Sequence, residues 1–333
     1  MIFVTGGSGL IGIRLLFDLL SKGYNVIALK REYSKLEIVE KCFSFYGNKD
    51  LFSQIQWITG NILDEYSYRD FLNKDTTVYH CAATVSFNPN KSKYIYRNNV
   101  IGTKHIINAC LEANVKKLCY VSSVAVFGNP CLDNNLITES IESTQDNFGS
   151  MYALSKFEGE LEVWRGIAEG LCAVIVNPSV VLGIGNRNSS SNQLFNRVQN
   201  GFKYYTKGIT GFVDVKDVSK CMISLMESNI QGERFILNSE NLNFKNVMKL
   251  MAKELNVKAP TIEIKPWVSS LGWRLDWVRK YLFFQARKFT KSMARSLYEK
   301  KSYSSKKIKR TLDISFIPIK KTIENHAKFY KFK

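Results

Sequence analysis

Histidine, proline and acidic side chains are all scarce in this chain of 333 residues. The three histidines, His80, His105 and His326, stand far apart without the spacing of a metal-ligand set, so no metal site is expected. Seven cysteines, an odd number, form no C-x-x-C pair, which argues against a disulfide framework. An apolar run beginning at residue 2 leaves no leader segment to expect, and the thiols are expected reduced, in a cytoplasmic protein. No stretch approaches the roughly 18 consecutive apolar residues that cross a bilayer, and no repeat of solenoid period is present. Acidic groups are outnumbered 29 to 47, leaving a net charge of +18. Only thirteen of the basic residues are arginine, and they are spread along the chain with local concentration at 300–309 and 320–333. With abundant Asn and Ile, that usage fits lysine-rich solvated faces at least as well as a phosphate-binding surface. A specific nucleic-acid partner is not expected; weak attraction to anionic surfaces is.

Hydrophobic content of 45% is ample for a core, in one large α/β domain or two modest ones. The informative segment is Ile2 to Gly12, I-F-V-T-G-G-S-G-L-I-G. A short β-prone run meets Gly6, Gly7, Gly9 and Gly12, and an amphipathic run bearing Leu15, Leu16, Leu19 and Leu20 follows. Strand, tight turn and helix in that order make a dinucleotide-binding start. Glycines let the backbone turn and a pyrophosphate approach, and the helix N-terminus meets its charge.

Strands are expected at Ile2–Thr5, Asn25–Lys30, Ile55–Thr59, Thr77–His80, Leu118–Ser122, Cys172–Val176 and Arg234–Leu237. Helices are expected at Leu10–Ser21, Lys35–Asn48, Ser67–Leu72, Asn99–Ala113 and Tyr152–Glu169, then at Phe244–Leu255, Trp267–Phe284 and Thr322–Phe332. The alternation predicts an α/β fold, a Rossmann-type doubly wound parallel sheet of about seven strands, with a smaller, mostly helical C-terminal lobe. The dinucleotide domain is placed at 1–180, completed by the strand near 234–237; 181–233 and 238–333 are placed in a substrate lobe over the carboxyl edge of the sheet. Gly183–Gln193 reads as a glycine-, serine- and asparagine-rich loop.

A second constellation is Tyr152-Ala-Leu-Ser-Lys156. Tyrosine and lysine four apart share one helix face, and an ammonium beside a phenol favours the phenolate. Such a phenol exchanges a proton with an alcohol or ketone. Upstream, the apolar strand Leu118–Val121 runs into Ser122 and Ser123, putting a hydroxyl where Ser123 meets a substrate oxygen beside Tyr152.

In these segments the chain resembles the extended short-chain dehydrogenase/reductase superfamily, the NAD-dependent epimerase/dehydratase family. Its likeness is nearest to the dihydroflavonol reductase and 3β-hydroxysteroid dehydrogenase-like branch. Similar segments run in order: Thr5–Gly12, Gly60–Asp64, His80–Ala83, Asn99–Thr103, Val121–Gly128, Tyr152 with Lys156, Asn177–Gly183, Phe212–Val218 and the closing Ser304–Pro318. The resemblance implies Tyr152 as general acid/base, Lys156 tuning it and binding the nicotinamide ribose, and Ser123 orienting the carbonyl. It implies Gly6, Gly9, Leu10 and Ile11 around the pyrophosphate, Asn61, Ile62 and Ala82 on the adenosine side, Asn99 near the cofactor and Pro178 near the nicotinamide. It also suggests a homodimer through a helix bundle that includes the Tyr152 helix. Two departures stand out: Asn61 replaces the usual Asp, losing a charge, and Phe127 replaces a Tyr before Gly128.

The second strand ends in Lys30 and Arg31, where an NAD enzyme presents a carboxylate to the ribose diol. Basic residues there suit an adenosine 2′-phosphate, so NADP is the expected cofactor, with Glu32 as the carboxylate that would favour NAD instead. Asn177-Pro178, where sugar-nucleotide enzymes more often carry Arg-Pro, points to reduction of an aldehyde, ketone, hydroxysteroid-like or dihydroflavonol-like substrate. The alternative is a sugar-nucleotide epimerase or dehydratase with tightly held NAD(P), for which Arg187 and Arg197 remain available. Phe87, Phe127, Phe148, Phe195 and Phe202 line an apolar pocket or fill the core. Trp267–Phe289, aromatic and basic, reads as a helix of the small lobe in preference to a membrane-surface helix.

Overall fold

The computed structural model describes residues 1–86, 88–128, 136–142, 148–187, 191–267 and 298–332. Its centre is a seven-stranded sheet of β1 (Ile2–Thr5), β2 (Val26–Lys30), β3 (Gln56–Thr59), β4 (Thr77–His80), β5 (Lys117–Val121), β6 (Ala173–Pro178) and β7 (Glu233–Leu237). The spatial order is β3-β2-β1-β4-β5-β6-β7, and every neighbouring pair is parallel. The winding reverses between β1 and β4, and the crevice beyond their carboxyl ends is where such sheets hold ligands.

Period-two alternation splits the strand side chains between two cores. Ile2 and Val4 of β1, with Cys119 and Val121 of β5, face one core, closed by α1 (Leu10–Ser21) and a later helix, Val215–Glu227. Phe3, Leu118 and Tyr120 face the other, closed by the helices that follow β4 and precede β6. Lys35–Asn48 forms α2 (Glu37–Tyr46), outside the sheet as expected.

Two expected helices differ. Ser67–Leu72 is instead a pair of 3₁₀ turns, Glu65–Ser67 and Arg69–Phe71; Tyr68 between them is fully buried and its φ of −146° breaks the run. The helix expected from Asn99 begins earlier, as α3 (Ser92–Tyr96), passes through a π turn at Arg97–Ile101, and continues as α4 (Gly102–Glu112). The Tyr152 helix is α5 (Met151–Ala168), its N-cap Ser150 accepting from the Ala153 N–H at 3.2 Å.

The rest of the chain builds a lobe around a third core. Its helices are α6 (Asn192–Gln199), α8 (Phe244–Leu255) and α10 (Ile319–Lys331), while α7 (Val215–Glu227) and α9 (Lys306–Leu312) pack on the main-sheet core. A three-stranded sheet of Val180–Leu182, Ile209–Asp214 and Glu240–Asn243 carries Leu182 and Phe212 into that core against Phe195, Val247, Met251 and Ile323. From residue 268 on, the helix read at Trp267–Phe284 lies outside the described residues, as does Phe87. No described helix is long and apolar enough to cross a membrane, and no cluster of metal-ligating groups occurs among the described residues.

Candidate active site

The glycine turn after β1 is dictated by space. Gly6 sits at φ +72°, and a Cβ there would lie 2.6 Å from the Ala82 nitrogen, so the loop after β4 can pass close only over glycine. A Cβ on Gly12 would collide with the Gly6 carbonyl oxygen. Gly9 caps α1 with no side-chain hydrogen bond, and its own N–H donates to the Gly6 oxygen at 2.9 Å. Leu10 and Ile11 open the helix with no acidic residue in its first turn. This leaves a bare, positively polarised helix end beside a cradle that side chains would fill, which fits a pyrophosphate.

At the carboxyl end of β5, Ser123 caps a short 3₁₀ helix, Val124–Phe127, its Oγ accepting from the Ala125 N–H at 3.2 Å. Tyr152, half-buried on α5, meets Ser123: burial pushes the phenol above its ordinary value, and the Ser123 hydrogen bond draws it partly back. A lysine-depressed phenol was the expectation, but the Lys156 ammonium turns to the sheet. Its Nζ donates to Tyr120 Oη at 2.8 Å and to the Val121 carbonyl at 2.8 Å. Burial lowers Lys156 to about 7, opposed by the Glu160 carboxylate and Cys81. Its third N–H has no partner among the described residues, which leaves one proton for a ligand. Pro178 is buried at the end of β6, paired with Leu237.

Asn99, in the π turn, is spent on the protein itself. Its Oδ1 accepts from the Thr84 N–H at 2.7 Å, and its Nδ2 donates to the Thr84 carbonyl and to Ser155 Oγ, each at 3.0 Å. It ties the loop after β4 to α5. Of the residues expected on the adenosine side, Ile62 is buried against Gly102 and Ala82 lies half-buried over Gly6. Asn61 closes a local turn, its Oδ1 accepting from the Leu63 N–H at 3.0 Å. Lys30 is half-buried and Arg31 exposed. The Arg31 guanidinium donates to Tyr94 Oη on α3 at 2.8 Å, and its N–H donates to Ser34 Oγ at 3.1 Å.

Several phenylalanines read as pocket or core are core. Phe195 is fully buried with its ring 4.0 Å from that of His326, and Phe127 is buried beneath the Arg234 guanidinium. Phe202 packs with the small-lobe core, and Phe148 lies against Phe157 on α5. Arg187 donates to the Tyr330 carbonyl at 3.2 Å and lies over that ring, so α10 holds it.

Two features escaped the sequence reading. One is the buried Glu160, which accepts from Asn177 Nδ2 at 2.7 Å and from Arg234 at 3.2 Å; Asn177 also reaches the Ser123 carbonyl at 3.4 Å. Glu160 stands four residues beyond Lys156, on the Tyr152 face of α5, and that spacing was the available signal. The other is Tyr120, hidden within an apolar strand.

The family model for the NAD dependent epimerase/dehydratase family matches residues 2–238. Cinnamoyl-CoA reductase 1 of Petunia hybrida is 29% identical over 267 residues, covering 76% of this chain and 77% of that protein. Sterol demethylase protein B of Methylococcus capsulatus is 24% identical over 266 residues, covering 79% and 77%. Among solved structures, the crystal structure of gox2253 superposes with a TM-score of 0.83 at 23% identity, covering 99% of this chain and 98% of its own, which bears on the fold alone.

Proposed function

The chain belongs to the NAD dependent epimerase/dehydratase family, as an NAD(P)-dependent oxidoreductase of the extended short-chain dehydrogenase/reductase type, and from that premise we propose that it is an NADP-dependent reductase of a carbonyl compound. Residues 1–180 hold the dinucleotide, and 181–233 with 238–333 form the substrate lobe. The observation that carries the reading is the Tyr152 phenol, hydrogen-bonded to Ser123 and held above its ordinary pKa by burial. At neutral pH it keeps the proton that a carbonyl oxygen needs when the carbonyl carbon is reduced.

Gly6, Gly9, Leu10 and Ile11 bind the pyrophosphate, Ile62, Ala82 and Asn61 the adenosine, and Lys156 the nicotinamide ribose. Lys30 and Arg31 take the 2′-phosphate, and Pro178 and Asn99 shape the floor under the ring. Bound NADPH supplies the hydride. Ser123 orients the carbonyl oxygen towards Tyr152, whose hydroxyl gives up its proton to that oxygen. The phenolate left behind keeps the Ser123 hydrogen bond and shares its helix face with the Lys156 charge. Asn177 supports the reductase reading, since its amide is engaged with Glu160 and Ser123 where a sugar-nucleotide enzyme more often carries arginine. The names of reductase relatives point the same way.

The test is consumption of NADPH with cinnamoyl-CoA, a dihydroflavonol, a 3-ketosteroid and simple aldehydes, run beside UDP-sugars. Turnover of a carbonyl compound is expected, and Tyr152→Phe is expected to lower kcat about 10²–10⁴-fold while NADPH binding stays within a few-fold. Conversion of a UDP-sugar with no net change in reduced nicotinamide would establish the epimerase or dehydratase reading instead. A fully active Tyr152→Phe would remove the trio from the chemistry.

A further inference from the structure

Lys156 sits at the end of a buried chain of side chains that reaches across the sheet. Tyr120 Oη, on β5, accepts from the Lys156 ammonium at 2.8 Å, and Tyr120 hydrogen-bonds Thr103 on α4 in turn. Thr103 Oγ1 donates to the Asn99 carbonyl at 2.7 Å and lies 3.1 Å from His80 Nε2. His80 Nδ1 lies 2.7 Å from Thr5 Oγ1, at the last residue of β1 before the glycine turn. Proton counting fixes the directions. Thr103 has spent its only proton on Asn99, so His80 Nε2 donates to it, and His80 Nδ1 then accepts from Thr5. Thr5, His80, Thr103, Tyr120 and Lys156 are all at most 1% exposed, and the third Lys156 N–H is the donor left over for a ligand. A buried network of this kind fixes one geometry, because each member loses a partner if any other moves.

We propose that Tyr120 is a positioning residue for Lys156: its phenol oxygen anchors the ammonium to β5, and that anchor sets the charge and reach with which Lys156 meets the cofactor ribose. The proposal rests on α5 being the cofactor-binding helix, as argued above. The anchor favours the charged lysine, since the Tyr120 oxygen accepts from an ammonium in a charge-assisted bond that a neutral amine makes more weakly. The Tyr120 ring adds to it, with Nζ 4.3 Å from the ring centroid. Other ionisable groups around the ammonium are Tyr152 and Glu160 on its own helix, and His80 and Cys81 at the end of β4. Burial and the lysine charge hold His80 neutral at about 3, so it adds no competing charge near neutrality.

Dissociation constants for NADH and NADPH, measured by fluorescence from pH 6 to 10 on wild type and Tyr120→Phe, test the anchor without any substrate. NADH is the primary probe because it lacks the 2′-phosphate, which titrates near about 6. Wild-type affinity is expected to weaken as pH rises and Lys156 loses its charge. Losing a charge-assisted acceptor favours the neutral amine, so in Tyr120→Phe this break moves down by about one pH unit. A merely structural role would lower affinity equally at every pH. An unmoved break therefore overturns the proposal. Should Tyr120→Phe fail to fold, Tyr120→Met removes the same acceptor and leaves a flexible apolar side chain in its space. A downward shift of the break supports the proposal and none overturns it. Failure of wild type to bind either nucleotide sinks the oxidoreductase reading and this inference with it; binding with an unmoved break sinks the inference alone.

Discussion

Arg31 is the side chain on which the proposed preference for NADP over NAD turns. It stands at the carboxyl end of β2, exposed, with its guanidinium on Tyr94 and its backbone N–H on Ser34. A guanidinium already held by a neutral phenol keeps its charge uncompensated and loses little further freedom on meeting a phosphate. Arg31→Ser is therefore expected to weaken NADPH binding about 10-fold or more, the worth of about 1.5–3 kcal/mol for a charged hydrogen bond, and to leave NADH within about two-fold. Tyr94→Phe acts through Arg31 alone and should show the same selectivity at smaller size. Equal losses for both nucleotides would mean that the loop is only structural, and a wild type preferring NADH would make Glu32 the operative residue.

Among the elements, α5 carries most of the site, and its closeness to the sheet depends on Gly159. A Cβ there would lie 2.5 Å from the Asn99 carbonyl oxygen and 2.8 Å from Tyr120 Oη. Alanine would favour the helix by about 1 kcal/mol. The clash is with backbone, which cannot swing aside, and overpacking costs about 1–3 kcal/mol. Gly159→Ala is thus expected to lower the denaturation midpoint and weaken nucleotide binding together; an unchanged or raised stability would show that α5 has slack. Much of this was legible beforehand. The ends of β1, β4, α1 and α8 coincide with the segments read from periodicity; Gly6 closes β1, α1 lies between Gly9 and Lys22, and α8 lies between Asn243 and Asn256. The face of Tyr152 and Lys156 followed from their spacing. What did not follow was tertiary. A four-residue spacing states which face two groups share, not that an ammonium will turn from the phenol to a strand carbonyl. Tyr120 looked like one more apolar strand residue, since nothing local distinguishes a buried phenol that packs from one that also accepts a proton. The π turn at Arg97–Ile101 was invisible for a related reason: its wider winding puts Asn98 and Asn99 both on Thr84, contacts made fourteen and fifteen residues away.

Over the whole molecule, three cores bury neutral groups that ionise in the acid range, and their balance sets an acid limit to stability. Burial holds His80 in the sheet and His326 on α10 at about 3, against an ordinary 6.5. For both, the unfolded chain takes up the proton first. Their contribution is intact above about 6.5 and is lost as pH falls from there towards 3, at about 1.4 kcal/mol per pH unit for each at the steepest. Asp217 works against them: burial raises its carboxyl to about 6, so the folded state takes up that proton first and gains stability as pH falls from there towards its ordinary 3.8. His326 isolates one side of this balance because neither ring nitrogen has a hydrogen-bond partner among the described residues and its ring lies among Phe195 and Tyr330. His326→Leu keeps an apolar side chain in that space and removes two unsatisfied polar atoms, so at pH 7.5 it should match or exceed wild-type stability. Between pH 6.5 and 5 the gap in its favour should widen by about 2 kcal/mol, read from urea midpoints on both proteins, with Asp217 and His80 cancelling in the difference. A gap that stays constant over that range would mean that His326 is solvated in the folded protein and that the small-lobe core is open to water.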